Sequence, residues 1–336
     1  HPYPSRSCIP MKAFFASLAL LASLSLALPA LADTFGTGAN TFSIDFVTIG
    51  DPGNDPDTTG DPNPAGAVAY EYRIGKYEIP EDAINKANAQ SALDGNPLGI
   101  TIDARGPNKP ATRASWFEAA RFVNWLNTST GGSPAYKFDT NGDFQLWEPG
   151  DAGYNPANKF RNTQARYFLP SADEWYKAAF FDPVSDTFFD FPNGSNTAPL
   201  PVASGTDPNT AVYDQPFAQG PADVMLAGGL GPFGTVGQAG NVWEIEETQM
   251  DLVNDDALGY RSVRGDTWFG AQGGNHSTLS SSFRNGLLGP GMPFGDIGFR
   301  VAGKEIPEPT TIYLASMGVI LLAGRMGRPI ANQLRP

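Results

Sequence analysis

The sequence is poor in the residues that do most redox and metal chemistry. It has one cysteine, Cys8, and two histidines, His1 and His276. From Asp33 onward there is no thiol at all, which excludes an internal disulfide, a thiolate nucleophile and a thiolate-ligated metal in that part of the chain. Basic residues are scarce as well: 22 Lys and Arg stand against 35 Asp and Glu, for a net charge of −13. Binding a phosphate backbone needs a lysine and arginine footprint, so a nucleic-acid partner is excluded. Long apolar runs are missing too. The two that exist, Ala13 to Leu28 and Ile312 to Gly324, both fall short of the roughly 20 residues a free-standing transmembrane helix needs.

What is present begins with those two runs. Met11, Lys12, the first apolar run and then Ala30, Leu31, Ala32 form a secretory leader: a positive charge, a short apolar core and small residues at the cleavage positions. Cleavage before Asp33 is expected, and the protein is expected to be exported to the cell surface or extracellular matrix. At the other end Pro307, Glu308 and Pro309 precede the second run, which is followed by Arg325 and Arg328. That order resembles the PEP-CTERM sorting signal of bacteria, which implies a sorting enzyme of the exosortase type as partner and transient membrane anchoring through the tail. The arginines then stay cytoplasmic by the positive-inside bias. The expected organisation is residues 1–32 as extension and signal peptide, 33–303 as one domain, and 304–336 as the sorting tail. The removed segments carry basic residues and no acids, so the exported part is more acidic than the whole, as suits a solvated extracellular surface.

Glycine, at 38 residues, and proline, at 30, make up about a fifth of the chain, and aromatics stand at 12%. Regular structure is therefore expected to be sparse, with loops packed around rings. Two helices carry Ser-x-x-Glu capping boxes. Ser115 to Glu118 precedes Ala119, Phe122, Val123 and Leu126 on one face, with the end expected near Asn127; Ser171 to Glu174 precedes a shorter helix ending before Pro183. Strands are expected at Phe42 to Ile49, Tyr70 to Tyr77, Ser262 to Arg264 and Gly298 to Ala302, and long loops from Phe189 to Gly240. No repeat of 20 to 50 residues appears, which argues against a solenoid or propeller.

An ordered set of short motifs spans Phe42 to Val301: Tyr72 to Glu78 (YRIGKYE), the Ser115 helix, Leu169 to Trp175 (LPSADEW), Gly240 to Glu244 (GNVWE), Val263 to Gly265, Arg284, and Gly298 to Arg300 (GFR). Together these resemble the sulfatase-modifying-factor family, the formylglycine-generating enzymes and their relatives. The resemblance implies an α+β, irregular formylglycine-generating-enzyme fold related to the C-type lectin fold, with little regular secondary structure. Active members oxidise a sulfatase cysteine with copper held by two cysteines between the Arg-Gly-Gly turn and the downstream arginine. The corresponding stretch here, Asp266 to Phe283, has none, so no copper is expected. Copper(I) selects soft sulfur ligands, and catalysis of that kind goes with them. A non-haem iron branch uses several histidines, whereas only His276 remains. His276 and Arg284 mark the candidate pocket, and His276 reads first as an ordinary loop histidine.

The resemblance also implies structural calcium, bound by the backbone carbonyls of Gly240 and Val242 and the carboxylate of Glu244. Calcium takes roughly six to eight oxygens, so others must join. The family usually places an acid or amide three residues before that glycine, where this chain has Gly237. The acidic groups Asp51, Asp55, Asp57, Asp61 and Asp139, Asn141, Asp143 read as turn-forming, solvated residues ahead of metal ligands. Glu246 and Glu247, adjacent on a strand, point to opposite faces and do not share a substrate. Trp125, Trp175, Trp243 and Trp268 read as core ahead of a sugar-stacking platform. The functional expectation is an exported, non-catalytic binding or structural domain with a glycan or surface-protein ligand. The alternative is an oxidoreductase of the formylglycine-generating or related non-haem metal type, with an unrecognised site around Asp266 to Arg284.

Overall fold

Ser115 and Ser171 each start a helix in the way their spacing predicts: the serine side chain accepts from the N–H three residues on, and the glutamate reaches back to the serine N–H. The computed structural model describes residues 31–304. Of the leader expected over residues 1–32, only Leu31 and Ala32 are described, as the first residues of a strand; the rest, with Cys8, and the tail beyond Lys304, including Pro307, Glu308 and Pro309, lie outside the described residues.

In chain order the main elements are β1 (Leu31–Phe35), β2 (Phe42–Ile49), β3 (Tyr72–Gly75), α1 (Glu81–Leu93), α2 (Trp116–Ser129), β4 (Tyr167–Phe168), α3 (Ala172–Phe180), β5 (Trp243–Gln249), β6 (Arg261–Arg264), β7 (Asn285–Leu288), β8 (Ile297–Gly298) and β9 (Ala302–Lys304). One sheet runs β1-β2-β3-β9-β4 with every pair antiparallel, and a second runs β7-β6-β5-β8 with β5 and β8 parallel. The other strands are two-residue pairs such as Lys137–Phe138 with Phe144–Gln145. The expected α+β architecture with little regular structure is what forms.

The strand expected at Phe42 to Ile49 has those bounds, with alternate residues Phe42, Ile44 and Phe46 buried. The stretch expected as one strand from Gly298 to Ala302 is divided between the two sheets. Gly298 pairs with Glu244, while Ala302 pairs with Ile74 and Phe168. Between them Arg300 is buried and donates to Glu244 and to the carbonyls of Gly75 and Lys76, so the crossing is fixed by a charged side chain.

Helix α1 gave little sequence signal because Pro80, and no Ser or Thr, precedes it, and its buried face mixes Ala83, Ile84 and Ala87 with Gln90 and Ser91. Its first residue, Glu81, is buried and accepts from the N–H groups of Arg105 and Gly106, both at 2.8 Å. Strand β5, Trp-Glu-Ile-Glu-Glu-Thr-Gln, is not among the strands expected by range, although Glu246 and Glu247 read as adjacent on a strand; its three carboxylates are fully buried.

The core is built around rings. Trp116 meets Tyr136, Phe144 and Phe160 edge-on, and the Arg261 guanidinium lies 4.4 Å from its ring centroid. Trp175, Trp268 and Trp125 are buried and Trp243 partly so, which makes the first three core residues as expected. Of the acidic groups, Asp139 fits the reading as a solvated turn residue, whereas Asp57 is buried and is not solvated as expected. Asp139 accepts from the N–H groups of Asn141 and Asp143, and Asp57 accepts from Thr59 and the Tyr176 hydroxyl.

Candidate functional site

Strand β5 organises the centre of the molecule because its three carboxylates each find a different cationic partner. Glu244 is held by Arg300 through both oxygens and also accepts from Trp175 Nε1 at 2.7 Å. Glu246 is shared by Arg264 at 2.7 Å and Arg284 at 2.9 Å. Glu247 takes Arg161 at 2.7 Å, the Tyr136 hydroxyl at 2.9 Å and Asn158 at 2.7 Å. Adjacent Glu246 and Glu247 thus face different partners, as strand geometry requires. Desolvating such charges is tolerable only because each is paired and hydrogen-bonded.

The 266–284 stretch closes over this network. Arg284 is buried; besides Glu246 it donates to the carbonyls of Gln249 and Met250, so its guanidinium is engaged within the protein. Asp266, at φ +68°, is buried and accepts from Thr278 Oγ1 and from the Thr267 N–H, and burial raises its pKa above the ordinary carboxyl value. Trp268 is buried beneath Phe217 and Phe269. His276 opens a short 3-10 turn, His276–Leu279, edge-on to Tyr213 at 5.6 Å, with Nδ1 unpartnered. His276 and Arg284 have no hydrogen-bonding or ring partner in common among the described residues.

The calcium expectation meets a specific obstacle. Gly240 adopts φ +77°, and a Cβ there would lie 2.2 Å from the Val212 carbonyl oxygen, so the turn demands glycine. Val242 is fully buried against Trp268. Glu244, however, already gives both oxygens to Arg300. Glu78 packs against Gly237, whose added Cβ would fall 2.6 Å from the Glu78 carboxylate. Glu78 therefore fills the position where the family carries its extra ligand. One Glu78 oxygen accepts from Asn241 at 2.8 Å, and the other is buried without a partner. Burial, and then the nearby charge of Glu244, push the Glu78 carboxyl up to about 8. Glu244 as placed thus has its carboxylate oxygens on a guanidinium, which a dication would have to displace. Among the described residues no group of three or more His, Cys, Asp or Glu is arranged to hold a metal ion.

Two features had no sequence signal. Arg161, in an Asn-rich loop, bridges Glu174 and Glu247 and lays its guanidinium 3.8 Å from the centre of the Phe168 ring. Burial works against the charge of Glu174, but Arg161 outweighs it and holds that carboxyl below its ordinary value. Asp33, on β1, collects Arg73 at 2.7 Å, Arg166 at 3.1 Å and the Tyr167 hydroxyl at 2.6 Å. These pairs depend on residues more than a hundred positions apart in two cases, which no local pattern encodes.

Residues 67–305 match the model of the sulfatase-modifying factor enzyme 1-like domain. Among solved structures, the Treponema denticola variable protein 1 superposes with a TM-score of 0.54 at 18% identity, over 82% of this chain and 99% of that one. The crystal structure of CarF gives a TM-score of 0.52 at 18% identity, over 78% and 99%. No curated protein sequence matches the chain. At such identities the likeness is one of fold.

Proposed function

The chain belongs to the sulfatase-modifying factor family, and from that premise we propose that it is an exported, non-catalytic member that acts by binding at the cell surface or in the extracellular matrix. The observation that carries this reading is the fate of the stretch from Asp266 to Phe283. It contains no cysteine, and the arginine that ends it, Arg284, is engaged by Glu246 and two backbone carbonyls. Soft sulfur ligands for copper are therefore missing, and the neighbouring groups satisfy one another. Fold alone does not specify a role, and this fold hosts more than one. The leader and the Pro-Glu-Pro tail supply the destination in this reading, and the acidic balance of the chain suits it.

The test is direct. The purified chain is incubated with copper(I) and with a sulfatase-type peptide carrying the target cysteine. No aldehyde is expected by mass or by hydrazide labelling above a no-protein control; its formation would overturn the non-catalytic reading.

A further inference from the structure

A cavity of about 480 Å³ opens beside the start of α3, between the chain leading into β3, the end of β9 and the loop around residues 155–163. Its volume is in the range of small-molecule sites. It lies apart from the 266–284 stretch, and its lining includes an aromatic ring fixed at its tip. Tyr70 is 49% exposed, yet its hydroxyl donates to Glu174 at 2.6 Å. Glu174 is itself immobilised by two bonds from Arg161, each 2.8 Å, and by the Ser171 N–H. A ring so tethered presents its face without a further loss of rotamer freedom on binding.

The remaining lining selects among ligand chemistries. Arg161 is no anion receptor, because its charge is matched by Glu174 and Glu247 and four of its five N–H groups donate to them and to the Leu169 carbonyl. The other cation, Lys304, already donates to the Thr163 carbonyl, and Glu71 shares the lining with it. A wholly apolar ligand would leave the side-chain amide N–H groups of Asn155 and Asn162 without water or any other acceptor. Asn155 and Asn162 use their side-chain oxygens on the backbone N–H groups of Ala157 and Gln164, which leaves their amide N–H groups to donate. What fits is a ligand with one C–H face and an edge of hydroxyls.

We propose that this cavity binds a neutral saccharide, one sugar ring lying on Tyr70 and its hydroxyls bonding the amides of Asn155 and Asn162 and the carboxylate of Glu71. The proposal rests on the surface-binding reading above and gives it a ligand class and a place.

The experiment is saturation-transfer NMR and calorimetry on the purified full chain, with glucose, galactose, mannose and N-acetylglucosamine as monosaccharides and short oligomers. At least one is expected to bind, Tyr70→Ala to weaken it by about tenfold or more, and Tyr70→Trp to retain it. Should Tyr70→Ala not fold, Thr163→Trp, which fills the cavity from its exposed side, is expected to abolish binding. Absence of binding across the panel overturns the proposal, as does binding that both variants leave unchanged. The latter would place the saccharide elsewhere and leave the surface-binding reading standing. Aldehyde formation alongside Tyr70-dependent binding would overturn that reading and leave the cavity assignment intact.

Discussion

Arg300 and Glu244 are both fully buried and meet through two parallel contacts, so that one ion pair joins the first sheet to the second. Arg300 sits where the chain leaves β8 for β9, and Glu244 sits on β5. Glu244→Gln leaves the guanidinium buried without its counter-charge, and the expected loss of stability in chemical denaturation is about 3–5 kcal/mol. The double change Glu244→Gln with Arg300→Met should cost less than the sum of the two single changes, because the orphaned charge is gone.

Calcium provides a separate check on the same residue. An ion bound only by the native state stabilises it by about 2.7 kcal/mol at a hundredfold excess over Kd, an effect easily seen in a melting curve. With Arg300 on Glu244 and Glu78 against Gly237, wild-type protein is expected to melt at the same temperature in millimolar calcium and in chelator. A rise in calcium that Glu244→Gln removes would show that the family's ion displaces the pair.

Glu78 makes stability depend on pH. Its folded-state pKa, about 8, lies above the ordinary carboxyl value of 4.5, so between those limits the folded state binds more protons than the unfolded one. The contribution of Glu78 to stability is then expected to be full below the unfolded value and to be lost as pH rises through about 8. Glu78→Gln keeps an acceptor for Asn241 and cannot ionise. Its denaturation midpoint is expected to decline less between pH 5 and 8.5 than that of wild type, and equal slopes would remove Glu78 as the cause.

The turn before β5 should tolerate no side chain. Gly240→Ala places a Cβ against the Val212 carbonyl oxygen, 2.2 Å away, in a left-handed backbone conformation that costs an L-residue about 1–2 kcal/mol before any clash. Thermal melting should show a loss well above that of Ser115→Ala, a cap deletion expected to cost about 1 kcal/mol.

For the tail, replacement of Pro307, Glu308 and Pro309 together is expected to leave the protein retained with its apolar segment attached, read by mass and by cell fractionation. Removal at the normal rate would reject the sorting-signal reading.

Local chemistry was fully legible in the sequence. The capping serines Ser115 and Ser171 and the alternation of Phe42 to Ile49 each follow from residues close together in the chain, whereas the demand for glycine at 240 comes from the Val212 carbonyl and needs the fold. The missing cysteines were equally plain, since an absent ligand is a fact of composition. The helix from Glu81 and the burial of Glu244, Glu246 and Glu247 were not legible, because a carboxylate reads as solvent-facing until the arginine that neutralises it is in place. Those arginines, Arg161, Arg264, Arg284 and Arg300, come from four separate segments. Tyr70 shows the same division: its ring is visible in the sequence, but only the fold brings Glu174 under its hydroxyl and Arg161 behind Glu174. Sequence thus determined which groups were available and which turns they could form. The tertiary structure decided which charges cancel, because pairing energies inside a protein depend on distance and desolvation, neither of which has a counterpart in residue order.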